Sequence, residues 1–451
     1  MWVGAIALAI AVAGYLVSRA IPAAPATAPN LVIDWNPVTE TWRNLRFMRT
    51  NRTVFLSVLG ISWFWLYGAT FLAQLPTYTK TYLGGNEQVV TLLLAVFSVG
   101  IGLGSLLCER LSGHKVEMGL VPFGSIGLTV FGIDLYLAVS GPAEVTGRGM
   151  AEFLKDPASH RVLWDLGLTG LFGGLFIVPL YAVIQTRSDP AHRSRIIAGN
   201  NILNALFMVI SAVVSVLLLR AGLTIPQLLL TVAVMNAAVA VFIYSLLPEF
   251  LMRFLVWMLI SLLYRIRTTG LDKIPDEGAA IVTCNHVSFV DALILGGTVR
   301  RPIRFVMYHK IFRIPVLNFI FRTARAIPIA PAKEDAALLA KALADVERAL
   351  HEGELVGIFP EGALTPDGEI QVFKPGIEKM IEKNPVPVVP MALRGLWRSM
   401  WSRRDSKMGR SRLPRRIRAR IELFVDDPIP PAQLTAAALE AKVRALRGDV
   451  P

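Results

Sequence analysis

Residues 285–291 read Asn-His-Val-Ser-Phe-Val-Asp. They follow a short apolar run, IVTC (281–284), and precede another, DALILGGTV (291–299). If the first run is a strand and the second a helix, His286 lies just past a strand end and Asp291 at a helix start. A turn there brings the aspartate back towards the imidazole. A carboxylate on one ring nitrogen fixes the tautomer and leaves the other nitrogen to take a proton. The same residues also fit a histidine that merely closes a strand beside a helix-start aspartate. A second group, Phe359-Pro360-Glu361-Gly362, again ends an apolar run. Glu361 there is a potential acceptor for hydroxyls, and Gly362 permits close approach of a substrate to the backbone. The third, Val386-Pro387-Val388-Val389-Pro390, has the composition of a buried strand.

The elements that must position these residues follow from the run pattern. IRFVM (303–307), AIPIA (326–330), LVGIFP (355–360) and VPVVPMAL (386–393) are short and β-rich. Between them lie KIFRIPVLNFIFR (310–322), EDAALLAKALADVERALHEG (334–353) and GIEKMIEK (376–383), which are helical in pattern. Such alternation predicts an α/β domain with a largely parallel sheet. Ligands of open α/β sheets bind at the carboxyl ends of strands, which is where His286 and Glu361 fall.

The amino-terminal part is of another kind. The chain has 451 residues, 54% hydrophobic and 18% charged, a net charge of +13 and a mean hydropathy of +0.52. That excludes a disordered chain and disfavours a soluble one. Uncharged stretches at 2–18, 53–79, 88–108, 118–133, 166–186, 196–219 and 221–248 approach or exceed the roughly 20 residues of a membrane-crossing helix, so seven spans are expected. Residues 250–264, apolar but interrupted by Arg253, suit a helix lying in the interface. The domains are therefore 1–248, a multi-pass bundle, and 249–451, the α/β domain. Arginines and lysines concentrate in the loops at 19–52, near 110 and near 190. This asymmetry puts those loops, and everything after residue 248, in the cytoplasm.

Two cysteines, Cys108 and Cys284, allow neither a disulfide framework nor a multi-cysteine metal site, and the histidines form no H-E-x-x-H pair. No metal or other cofactor is expected. Gly100-x-x-x-Gly104 and Gly170-x-x-x-Gly174 mark close helix packing. Asn200, Asn201, Asn204 and Asp134 within spans suit either a polar path or helix–helix hydrogen bonds. Residues 394–420 hold eleven arginines and lysines, with Trp397 and Trp401 among them. Beside a membrane this favours anionic lipid over nucleic acid.

Taken in order, His286/Asp291, Phe359–Gly362, the Phe373-Lys374-x-Gly376 run and Val386–Pro390 resemble the glycerolipid acyltransferase family, the one containing bacterial 1-acylglycerol-3-phosphate acyltransferase. The resemblance covers about residues 255–430. It implies an enzyme that moves an acyl group from acyl-CoA or acyl carrier protein to a lysophospholipid hydroxyl. His286 is then the general base and Asp291 its partner. Glu361 and Gly362 help bind the acceptor, and Lys374 contacts its polar head. One element departs: in RTARAIPIAP (322–331) the family's glycine falls on Arg325, and its arginine, associated with the acceptor phosphate, on Pro331. Arg322, Arg325 or Lys333 are the possible substitutes. The loss disfavours a phosphate-monoester acceptor. Residues 1–248 resemble the last helices of a major facilitator transporter, with Ser105 to Lys115 similar to that superfamily's loop motif. Such transporters have twelve helices, and this chain begins near the sixth. The arrangement is similar to lysophospholipid transporter–acyltransferase fusions of bacterial inner membranes. The alternative is a lysophospholipid transporter or flippase fragment whose cytosolic domain only binds lipid.

Overall fold

The computed structural model describes residues 2–22, 35–112, 118–246, 248–299, 301–399 and 418–448. His114 and Lys115 of the loop motif lie outside the described residues, as do Trp401 and the basic residues of 403–416.

Among the described residues, nine helices precede Pro248: α1 (Trp2–Ser18), α2 (Pro37–Arg49), α3 (Arg52–Tyr82), α4 (Glu87–Ser112), α5 (Leu120–Leu137), α6 (Met150–Lys155), α7 (Pro157–Arg187), α8 (Arg193–Arg220) and α9 (Ile225–Leu246). Six of them, α3, α4, α5, α7, α8 and α9, are long and apolar enough to cross a membrane. The first expected span forms α1, but its 17 residues extend only about 25 Å at 1.5 Å per residue, short of the roughly 30 Å hydrocarbon core. The two small-residue motifs meet each other. A Cβ on Gly104 would lie 2.0 Å from the Leu171 carbonyl oxygen, and one on Gly170 would lie 2.3 Å from that of Phe97. Only glycine allows α4 and α7 this approach. Of the asparagines expected within spans, Asn204 makes a helix–helix bond, whereas Asn200 donates to Asn201 of its own helix at 3.4 Å. Asn204 Oδ1 accepts from Ser62 at 2.9 Å, and Asn236 accepts from Trp63 and donates to Ser125 O and Thr129.

The α/β domain opens with α10 (Pro248–Leu263) and contains α11 (Asp291–Thr298), α12 (Pro315–Thr323), α13 (Ala336–His351), α14 (Gly376–Lys383) and α15 (Ala436–Arg447). Its strands are β1 (Tyr264–Thr269), β2 (Ala280–Thr283), β3 (Ile303–Tyr308), β4 (Ile327–Ile329), β5 (Leu355–Ile358), β6 (Val388–Arg394) and β7 (Ala419–Val425). They form one sheet in the order β1-β7-β6-β2-β5-β3-β4. Among the described strands the β6–β7 pair alone is antiparallel. One face is covered by α10 and α11, the other by α13, α14 and α15. Both faces are thus buried, which is why the central strands read as unbroken apolar runs.

α10 does more than lie in an interface. Arg253 is buried, and its Nη1 donates to Val299 O at 3.3 Å. Phe254 joins Cys108, Leu120 and Leu175 of the bundle in one apolar cluster. Ile260 and Trp257 crowd Gly297 of α11. Met258, Leu259 and Leu262 remain exposed.

Candidate active site

The site is built at the carboxyl ends of β2 and β5. Asn285, the second residue past β2, is buried and fixes this end. Its Oδ1 accepts from Leu393 N at 2.8 Å, and its Nδ2 donates to Leu393 O at 3.1 Å. The chain then turns, and Asp291 opens α11. Asp291 is fully buried. Its Oδ2 accepts from His286 Nδ1 at 2.8 Å, Val287 N at 2.6 Å and Ser288 N at 2.9 Å. The two backbone donors leave the carboxylate no freedom to rotate away. Because Nδ1–H points at the aspartate, the lone pair of the neutral imidazole sits on Nε2. Nε2 has no hydrogen-bond partner among the described residues, and the side chain is 23% exposed.

The imidazole is clamped from one side as well. Phe359 stacks on it with ring centroids 4.2 Å apart, and Phe305 lies 6.1 Å beyond Phe359. The backbone of His286 is held at both ends. Its N donates to Glu361 Oε1 at 2.7 Å, and its O accepts from Thr365 N at 3.0 Å.

Glu361 is only 4% exposed. Its second oxygen accepts from Gln371 N at 2.8 Å. Burial pushes its carboxyl above the ordinary glutamate value, and the two backbone donors oppose that rise. Both oxygens are therefore used in joining three loops, around residues 286, 361 and 371. Gly362 and Lys374 are exposed. Gly362 has φ +71°, a left-handed conformation suited to glycine, and a Cβ there would lie 2.5 Å from Lys374 Nζ. The structure thus brings together His286, Asp291, Glu361, Gly362 and Lys374.

It does not bring Arg325 to them. Arg325 precedes β4, at the amino-terminal edge of the sheet. Its Nε lies 2.5 Å from Glu249 Oε1, and its Nη1 lies 3.7 Å from Glu354. Arg304, buried, pairs with the same two carboxylates. Arg325 has φ +48°, so the backbone takes the left-handed form at the position where the family's glycine falls. Arg322 donates to Asn318 at 2.8 Å on α12. Pro331 and Lys333 follow β4 and so lie at its carboxyl end.

A second polar group at the carboxyl edge was not anticipated from spacing. Glu334 accepts from Tyr308 at 2.9 Å and His309 at 3.1 Å, and pairs with Lys310 at 2.7 Å. Lys310 and these donors hold its carboxyl down to about 2. An apolar cavity adjoins the site between α10, α11, β3 and α12, lined by Val256, Leu293, Gly296, Phe305, Met307 and Phe321. Phe305 is thus shared between the cavity wall and the aromatic stack behind His286. The aromatic residues of F-P-E-G and of β3 were the available signal in the sequence.

The fold and site together define an α/β domain with a histidine–aspartate pair, joined to a helical membrane bundle. Residues 265–394 match the family model described as Acyltransferase, and the chain joins such a domain to a bundle similar to lysophospholipid transporters. The chain is 32% identical over 136 residues to the 1-acyl-sn-glycerol-3-phosphate acyltransferase of Borreliella burgdorferi, covering 29% of this chain and 51% of that one. It is 28% identical over 182 residues to the lysophospholipid transporter LplT of an Enterobacter species, covering 40% of this chain and 41% of that one. The chain therefore spans about half, or less, of the length of these relatives. Among solved structures it is similar to the 1-acyl-sn-glycerophosphate acyltransferase PlsC of Thermotoga maritima, with 20% identity, 44% of this chain and 78% of that one covered, and a TM-score of 0.37.

Proposed function

We propose that the protein transfers an acyl group from a thioester, acyl-CoA or acyl carrier protein, to the free hydroxyl of a lysophospholipid. His286 Nε2 takes the hydroxyl proton as the oxygen attacks the thioester carbonyl. The C–O bond forms, the C–S bond breaks, and the imidazolium returns the proton to the departing thiolate. Asp291 steadies the charged ring. The observation that carries this reading is the unpartnered Nε2 of an imidazole whose other nitrogen is bound at 2.8 Å by a buried, doubly hydrogen-bonded carboxylate. The apolar cavity behind Phe305 suits an acyl chain. The likeness to LplT supports a lysophospholipid as acceptor; the six apolar helices favour a bacterial-type inner membrane as location, and the basic-loop asymmetry favours the α/β domain on its cytoplasmic side.

The headgroup reading rests on charge. Pro331 carries none, and Arg322 and Arg325 are engaged elsewhere. Of the three possible substitutes only Lys333 stands at this edge, and the ionised Glu334 beside it is already matched by Lys310. A phosphate monoester, with nearly two negative charges, is poorly served there; a phosphodiester bearing an ammonium is served better. The test is acyl transfer by the purified full chain to a panel of lysolipids, with His286→Ala as control. Higher kcat/KM for lysophosphatidylethanolamine than for lysophosphatidic acid is expected. The reverse order removes the headgroup reading. Activity of His286→Ala within about tenfold of the parent removes the base, since general-base help is typically ~10²–10⁴-fold.

A further inference from the structure

The membrane bundle holds a charged cluster where α5 ends and α7 begins. Arg161 binds Asp134 in bidentate fashion, Nη2 to Oδ1 at 2.5 Å and Nε to Oδ2 at 3.2 Å. One helical turn further along α7, Asp165 is only 3% exposed. Its side chain reaches that of Asp134 within hydrogen-bonding range, yet its Oδ2 has no donor. The titratable or charged groups that act on it are Tyr78 of α3, Asp134 of α5 and Arg161 of α7; none from α4 or α6 among the described residues does so. Tyr78 is no substitute donor, because its hydroxyl donates to Leu135 O at 3.3 Å.

Two carboxylates thus converge on one guanidinium, which is committed to the more exposed of them. Ionised carboxylates are acceptors only. Two in mutual contact, one of them buried, cannot both stay charged without repulsion, and a buried acceptor left without a donor is costly. A single proton resolves both difficulties. It forms an O–H on one carboxyl group that donates to the other, leaving one negative charge opposite Arg161.

We propose that Asp165 and Asp134 form a proton-binding site of the bundle, taking up one proton from solvent and sharing it between them. Release of that proton leaves two negative charges across the α5–α7 contact and loosens this end of the bundle. The site is independent of the acyl-transfer chemistry.

Infrared spectroscopy of the full chain in lipid nanodiscs tests this, with aspartate carboxyl carbons labelled with carbon-13. At neutral pH the parent is expected to show a protonated-carboxyl C=O band that shifts with the label and disappears on titration to alkaline pH. Asp165→Asn removes the band. Asp134→Asn, the milder change at the more exposed residue, shifts it, because the hydrogen-bond partner is altered. His286→Ala leaves it unchanged. Absence of any label-sensitive band in the parent overturns the proposal without recourse to a variant. A band that survives in both aspartate variants overturns it as well.

Discussion

At the scale of single residues, Asp291 Oδ2 has three donors and one position. Asparagine can set its one oxygen where Oδ2 stands and keep all three donors, but it brings no negative charge to steady the imidazolium. Asp291→Asn is therefore expected to lower kcat by about 10²–10⁴-fold, given that the equivalent change in a serine-protease triad costs ~10⁴. Steady-state kinetics check this, and an unchanged kcat removes Asp291 from the mechanism. Gly362 supplies a second case. Gly362→Ala places a Cβ against Lys374 Nζ in a left-handed backbone that penalises L-residues by about 1–2 kcal/mol. The lysine tip can move aside, but the backbone penalty remains. A fall in thermal stability is expected, with KM for the acceptor raised if Lys374 meets its head group. A thermal melt equal to the parent's contradicts the strain argument.

At the scale of elements, Glu249 at the head of α10 is fastened to the sheet by Arg304 and Arg325. The two arginines are unequal. Arg304 is buried, so Arg304→Ala leaves its two carboxylates only the exposed Arg325 and is expected to destabilise by about 3–5 kcal/mol, as for a broken buried pair. Arg325 is largely exposed, and Arg325→Gly gives up a weak ion pair while relieving a left-handed arginine. Its stability is expected within about 1 kcal/mol of the parent, but hydrogen exchange across 248–263 should rise; unchanged exchange there contradicts the fastening. Arg304 holds Glu354 below its ordinary value. Its contribution is therefore present above the usual carboxylate range and lost as pH falls through the lowered value; Glu354→Gln should flatten that acid limb. The sequence revealed the central strands because β2, β5 and β6 are buried on both faces and read as apolar runs. β1 and β7 escaped notice, since β1 carries arginines at Arg265 and Arg267 and both strands mix buried with open positions. His286 and Asp291 were legible from their spacing, whereas the destination of Arg325 was not. Three nearby cations were equally open, and only the strand register shows that Arg325 precedes β4 while Pro331 follows it.

At the scale of the whole molecule, the basic-loop asymmetry leads to a topology prediction. A reporter fused after Pro451 is expected to be active only in the cytoplasm, and activity on the outer side reverses the assignment. The two halves are also bound through a helix that neither can spare. Phe254 of α10 completes a bundle cluster, while Ile260 and Trp257 of the same helix close over α11, the helix that Asp291 begins. A free α/β domain starting at Tyr264 is expected to aggregate or lose activity, whereas one starting at Pro248 should retain more of both; equal behaviour of the two removes α10 from the domain's core. It follows that α10 governs how such a chain can be recombined. A crossover between related genes placed before Pro248 passes on a working module, and one placed within the next 16 residues spoils both descendants at once. The tolerated breakpoint is therefore the short stretch between α9 and α10.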